Sequence, residues 1–572
     1  MAGRPRLWNC AKVQNGIKAY FDRKTFDPIY LRVYVVVITL TTTLGEIYAH
    51  KVISQDVRSN KLPQFTLDTL IVIFSLLEAF VAPFISWWGY PRRQTKIIAF
   101  SIIASVTCLS WFFLPEAGDR QVSDLCDGID QGNNVYEGVT RRSITRLVIV
   151  SVSCIFLMLA RISCWSHGIA YTDEYTPEKM SVHYGAIVMG RVIVLIVGDK
   201  LLTEMNSRLA FHIFVAGLIV LFAVNIAQVP FIMPKGAPVV KGVQKTALPL
   251  EDRGFLLSLR RVLSNAIAMM QLFAMGLMAA ALWGYSYHEI DVIKVKFTQL
   301  RETNLTTGFT ELLIYLFVIV GITYAGVLLS TPLREFCKLT SIKNITTFSI
   351  LLVILHVVIA TIIRCDRGEV VGIPSGYYQP PTCSLSCNCQ PQWNEFKPVC
   401  AVDDMTTYVS PCLAGCADAE VLNGIQVYSN CTCVPNGQVI FGACRKDRCN
   451  YDIYSSVITV VITFTLLIFV FQGVLVLRVV DPRDKGIVMG MAWSVVALSA
   501  FVCGHLIFRG IGAVTCAWYE ENTCILQNKS FPLYVSAASA IMVLLSTLIS
   551  ISTWIYTKTK KGANNVTTDV SN

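Results

Sequence analysis

Runs of about 20 mainly apolar residues recur along this chain, separated by short polar segments, and a helix of that length crosses a hydrocarbon core about 30 Å thick. Twelve runs stand out, at about 30–50, 66–88, 97–114, 147–171, 184–202, 209–232, 265–287, 312–330, 345–363, 453–477, 487–511 and 533–556. The spacing predicts an all-α membrane protein of twelve spanning helices. The pattern breaks at length only once, where a polar stretch from Arg364 to Tyr451 separates the ninth span from the tenth.

Composition agrees: 54% of the 572 residues are hydrophobic and 15% charged, and the mean hydropathy is +0.54, too apolar for an ordinary soluble globule. An even number of crossings puts both termini on one side. Taking the leader 1–29 as cytoplasmic places 25 lysines and arginines on that side, about twice the number in the short loops opposite, as cytoplasmic loops require. The net charge of +10 then follows from topology and anionic inner-leaflet lipid and needs no nucleic acid. Residues 1–29 lack an apolar core of the signal-peptide kind, so no cleavable leader is expected. The expected organisation is a cytoplasmic leader (1–29), a six-helix bundle (30–232), a cytoplasmic linker (233–261), a second bundle (262–363 and 453–556), an extracellular insert (365–451) and a cytoplasmic tail (557–572).

Eleven of the twenty cysteines fall in the insert: Cys365, Cys383, Cys387, Cys389, Cys400, Cys412, Cys416, Cys431, Cys433, Cys444 and Cys449. At that density a small extracytoplasmic segment reads as a disulfide framework, because it has too little core to hold itself together. Eleven is odd, so one thiol needs a partner elsewhere, and Cys126, Cys516 and Cys524 are on the same expected side. A zinc site at the one-residue cysteine spacings is the competing reading, disfavoured by the spacing and the oxidising compartment. Asn-x-Ser/Thr sequons at Asn304, Asn430 and Asn528 face the lumen during synthesis in this topology and are open to glycosylation, whereas Asn344 and Asn565 face the cytoplasm.

The stretch "VCAVDDMTTYVSPCLAGC", 399–416, resembles the Kazal-type signature. With "CNCQPQW" before it, "YSNCTCV" after it and its place between the ninth and tenth spans, it is similar to the extracellular loop of the organic anion transporting polypeptide family. "GIAYTDEYTPEKMSVHYG", 168–185, resembles that family's segment closing the fourth helix, and "RVVDPRDKGIVMG", 478–490, its linker into the eleventh. The resemblance implies a twelve-helix major facilitator fold with a small Kazal-like extracellular domain, working in the plasma membrane. It implies sodium-independent movement of amphipathic organic anions such as steroid or bile conjugates, with bicarbonate as a possible counter-anion, membrane lipid as surroundings, no cofactor and no enzymatic step. Departures are equally plain: the family's Arg-Trp signature before the sixth helix reads "SRLAFHIFVAG", its inward arginine of the eleventh helix aligns with Ala497, and its Gly-Glu-Thr-Pro becomes Ala160-Arg161-Ile162-Ser163. These departures keep open a second reading, a transport-inactive relative acting as a surface receptor or adhesion protein through its insert.

Ionisable side chains inside spanning helices are expensive unless they face a polar cavity or a partner, so each is a functional candidate. Arg161 and Arg191 best supply the fixed positive charge that an anion needs, with His212, His356 and His505 as further candidates; Glu78 either joins them or neutralises an arginine. His505 and Arg509, four apart, share a helix face and either line an outer vestibule or reach for the headgroups. Arg92 and Arg93, in the tight "GYPRRQ" turn, with Asp173 and Glu174, are the gating candidates, pairing acid with base. Trp165 and Trp493 are among the aromatics able to stack on a ring-bearing substrate.

Overall fold

The computed structural model describes residues 28–58, 62–63, 65–88, 93–114, 125–126, 141–175, 177, 180–203, 208–228, 254–297, 319–321, 338–361, 370–372, 379–387, 389, 397–422, 425–444, 451–520 and 523–569. Among these, eight helices are long and apolar enough to cross a membrane, and three shorter apolar helices accompany them. The chain is a multi-pass membrane protein. Of the twelve expected spans, that at 312–330 lies outside the described residues except 319–321.

The first half contains α1 (Pro28–Arg58), α2 (Thr66–Trp88), α3 (Arg93–Leu109), α4 (Arg141–Ser163, running on through a π-helical turn at Cys164–Gly168 into Ile169–Tyr175), α5 (Met180–Thr203) and α6 (Arg208–Ala227). The second contains α7 (Phe255–Leu263), α8 (Ala266–Tyr287), α9 (Glu289–Phe297), α10 (Lys338–Thr361), α11 (Tyr451–Val479), α12 (Lys485–Val496, continuing through the π-helical Ala497–Gly504 into His505–Val514) and α13 (Phe531–Asp569). The last helix thus runs beyond 556, where a tail was expected to begin.

Many hydroxyl side chains inside the spans bond carbonyls of their own helices. In "TLTTTLG" of α1, Thr39, Thr41, Thr42 and Thr43 donate to the carbonyls four residues back, at 2.7–2.9 Å. This is how a threonine run crosses hydrocarbon without an unsatisfied hydroxyl. Asp56 at the end of α1 holds Arg146 at the start of α4, 3.2 Å away and almost fully buried.

In the first half α1 packs on α4, α5 and α6; in the second α8 and α10 pack on α13 and α11. The halves meet where α2 lies on α12 and α5 on α11. Close approach there depends on small residues. A Cβ on Gly490 of α12 would fall 2.1 Å from Ser86 Oγ and 2.7 Å from the Ala82 carbonyl oxygen of α2, and one on Gly473 of α11 would fall 2.4 Å from the Tyr184 ring of α5. Ser494 Oγ donates across the same seam to the Ala79 carbonyl at 2.7 Å.

The insert forms a five-stranded sheet in the order β2-β1-β5-β4-β3, from β1 (Val399–Ala401), β2 (Thr406–Tyr408), β3 (Asp418–Leu422), β4 (Ile425–Ser429) and β5 (Val439–Phe441). Its core is Val399, Ala401, Tyr408, Ala414, Tyr428, Val434 and Val439. Disulfides join Cys383 to Cys433, Cys389 to Cys412, Cys400 to Cys444 and Cys416 to Cys431. Cys387 leaves the module to pair with Cys126, from the segment between α3 and α4, and Leu125 beside it packs on the module core. Cys516 pairs instead with Cys524 inside a hairpin of β6 (Cys516–Glu520) and β7 (Thr523–Gln527), which touches the module through Leu526 and Trp518. Cys365 and Cys449 lie outside the described residues. Among the described cysteines Cys108, Cys154, Cys164 and Cys503 are free.

Candidate functional site

Four ionisable side chains from four helices of the first half meet near the middle of their spans: Glu46 (α1), Glu78 (α2), Arg161 (α4) and Arg191 (α5). Arg161 forks between the two acids, reaching Glu78 Oε1 at 2.5 Å through Nη2 and Glu46 Oε1 through Nη1. Arg191 Nη2 is 3.6 Å from the other oxygen of Glu46. Trp493 of α12, from the second half, donates its indole N–H to Glu78. Its ring lies 4.9 Å from both guanidinium carbons and stacks on Trp165 at 5.3 Å, with Tyr184 edge-on to Trp165. The formal charges of the four groups cancel, which is how they persist in a low-dielectric interior. Each is bonded across helices, so the cluster fixes where five helices approach.

Two further clusters join the halves at opposite ends of the bundle. At the end nearest the disulfide-rich module, Asp68, in the first turn of α2, accepts from Tyr287 of α8 at 2.8 Å and from His505 Nε2 at 3.2 Å, and pairs with Arg509 Nη2 at 2.8 Å. At the other end Asp173, whose side chain is wholly buried, pairs with Arg478 Nη2 at 3.0 Å and with Lys485. Arg478 also donates to the Pro177 carbonyl at 2.7 Å, and Arg261 forks onto Asp484 at 2.8 and 2.9 Å, pinning α7 to the start of α12. At 1.5 Å per helical residue, Asp68 lies about 15 Å from Glu78 along α2 and Asp173 about 18 Å from Arg161 along α4, so the two latches bracket the central cluster.

The structure brings Arg161, Arg191 and Glu78 together. Arg191 turns inward to Glu46 rather than outward to the headgroups, because Glu46 supplies its counter-charge. His505 and Arg509 do share a face, but that face meets Asp68 instead of lining a vestibule or snorkelling. Asp173 pairs with Arg478 and Lys485; Glu174 beside it is half-buried. Arg92 lies outside the described residues, as do the side chains of Arg93 and His212. His356 is not part of the central cluster: its Nδ1 bonds the Leu352 carbonyl of its own helix at 2.9 Å, and it lines a cavity of about 20 Å³ within the second half, with Tyr285, Glu289 and Thr465. Asn430 is exposed and bonds Asp418 across the module; Asn528 is exposed after β7; Asn304 lies outside the described residues.

Asp68, Arg478 and Lys485 were not singled out by the sequence as site residues, and Tyr287 only as one of the aromatics able to stack on a substrate. All four sit at helix ends, where charged and tyrosine side chains are ordinarily interfacial, and only the facing helix from the other half marks them as paired.

Comparison with known proteins bears on this arrangement. The chain is similar to the solute carrier organic anion transporter family members 6A1 of Homo sapiens (27% identity over 35% of this chain and 29% of that protein) and 4C1 of Rattus norvegicus (25%, over 35% and 29%). These matches span less than a third of either relative. Member 1C1 of Mus musculus matches at 22% over 84% of this chain and 80% of its own. Among solved structures, an outward-facing major facilitator superfamily transporter is similar at a TM-score of 0.43 and 11% identity, covering 91% of this chain and 99% of its own. The profile of the Organic Anion Transporter Polypeptide (OATP) family matches residues 237–537, more than half of the sequence. The chain belongs to that family, whose members are transporters.

Proposed function

We propose that this protein is a secondary transporter that moves amphipathic organic anions, of the size of steroid conjugates, across the plasma membrane by alternating access and without sodium. The single observation that carries the reading is the pair of charged latches, Asp68–His505–Arg509 and Asp173–Arg478–Lys485, closing the same helix interface at both ends about a central charged cluster. In this reading the chain has a major facilitator architecture, bundles 30–232 and 262–363 with 453–556 rock against each other, and the structure is the occluded intermediate. Opening one latch admits substrate to Arg161, Arg191 and Trp493 from one side; closing it and opening the other releases the substrate. Ion pairs suit such gates because water replaces their partners when they part, so neither state is left with a bare buried charge.

The module 365–451, Kazal-like in its cysteine spacing, is extracellular in this reading, glycosylated at Asn430, and roofs the outer mouth while both termini lie in the cytoplasm. Its bond through Cys126 does not lock the halves. Eleven residues separate Cys126 from Leu114 and fourteen separate it from Arg141; at about 3.3 Å per extended residue these segments have ample reach for rocking.

The test is uptake of a labelled steroid sulfate into liposomes containing the purified chain, with and without unlabelled anion inside. Accumulation accelerated by internal anion supports exchange. Absence of accumulation for any organic anion, with binding to the outer module retained, would assign the protein instead to a receptor role.

A further inference from the structure

The central cluster holds as many carboxylates as guanidinium groups, and this constrains what can bind. We propose that the species taken up is an aromatic zwitterion: an organic acid that also carries an ammonium group, its carboxylate docking on Arg191 and its cationic end on Glu46. The inference rests on transport by alternating access and departs from the plain-anion class proposed above: a steroid sulfate, which has no cationic group, should cross about tenfold or more slowly than the zwitterion.

An anion without a cationic group gains attraction from two arginines but meets two carboxylates at the same range. To reach Arg191 it must separate that side chain from Glu46, leaving Glu46 with only a share of Arg161, which Glu78 already holds at 2.5 Å. A carboxylate left under-compensated in a dry interior is the costly outcome. A zwitterion inserted between Arg191 and Glu46 gives each of them a new partner and leaves every charge paired.

The geometry favours opening at this link. The Arg191–Glu46 contact is the longest in the cluster, at 3.6 Å, and Glu46 is the more accessible acid, its side chain 22% exposed against 3% for Glu78. Glu78 is already engaged by both Arg161 and Trp493. Arg161 Nε, Arg191 Nη1 and Trp165 Nε1 are buried donors with no hydrogen-bond acceptor among the described residues, and all three side chains flank the Trp493 ring. They suit a carboxylate on the Arg191 side. The faces of Trp493 and Trp165 suit an aromatic ring, and aromatic faces also attract a cationic group.

The experiment compares three tritiated probes of one shape in liposomes containing the full chain: phenylalanine (zwitterion), N-acetylphenylalanine (anion) and phenylalanine amide (cation). Wild-type protein should take up phenylalanine about tenfold or more faster than either analogue, the equivalent of one hydrogen bond to a charged group. Glu46→Gln should turn the preference toward N-acetylphenylalanine, and Arg191→Gln toward the amide. If wild-type protein carries N-acetylphenylalanine or steroid sulfate as fast as phenylalanine, the zwitterion inference falls and the transport reading stands. N-acetylphenylalanine uptake that rises with external acidity, with one proton entering per anion, also overturns it, because a proton on Glu46 then restores the balance. If none of these solutes accumulates, both readings fall. The wild-type ratio decides even where a variant does not fold.

Discussion

Replacing Asp173 with asparagine keeps the shape of the side chain and removes its charge, so it isolates the latch at the end of the bundle away from the disulfide-rich module. The carboxylate is wholly buried, Lys485 is 10% exposed and Arg478 26% exposed, so this is an ion pair inside the protein rather than on its surface. Removing one partner of such a pair costs about 3–5 kcal/mol, because the remaining charge stays in low dielectric. In the rocking cycle proposed above, water reaches Lys485 when the halves part and the penalty disappears. The variant therefore raises the energy of the closed state alone. Taking the lower figure, about 3 kcal/mol, the ratio of open to closed molecules should rise by roughly 10². Hydrogen–deuterium exchange of segments 169–175 and 478–490 in nanodiscs reads this directly: exchange in both should accelerate strongly, while that of the module should not change. Adding Lys485→Met should recover most of the protection, since an apolar side chain of similar length carries no uncompensated charge. Wild-type exchange in Asp173→Asn, or a double variant no better protected than the single one, would refute the latch.

The opposite latch should respond in the other direction and more weakly. Asp68→Asn should expose the His505 end of α12 to an impermeant label, by less than tenfold, because Arg509 is half exposed and screened by water. Gly473→Ala should lower thermal stability and uptake, as the new methyl would fall 2.4 Å from the Tyr184 ring; Tyr184→Leu should restore both if that collision is the cause. Mass mapping without reduction should recover the peptide containing Cys126 joined to that containing Cys387. Cys126→Ser should free the first peptide while leaving Cys383–Cys433 and Cys400–Cys444 intact.

The family was legible early because it rests on local signals. The cysteine spacing around "TYVSPCLAGC", its place between α10 and α11 and the 20-residue apolar rhythm each depend on a short stretch of chain. The candidate site was half legible. Arg161, Arg191 and Glu78 stood out as charges within apolar helices, and Trp493 as an aromatic able to stack. The link of Arg191 to Glu46 and the pairing of Asp173 with the second half were not readable. Nor was the separation of His356 from the cluster, since an intramembrane histidine looks the same in sequence whether it bonds its own helix or lines a pathway.

By itself, then, the sequence determined which segments are long and apolar enough to cross a bilayer, since hydrocarbon tolerates only long apolar runs with their backbone bonds made internally. It also determined that the polar insert is stapled by cysteines, and which face of α12 carries His505 and Arg509, a matter of helical period. Only the tertiary structure decided which charge answers which. Glu78 and Arg161 are 83 residues apart, Asp173 and Lys485 312, and Asp68 and His505 437. Periodicity records the environment a side chain faces but not the identity of its partner, which is set when helices distant in sequence pack against one another.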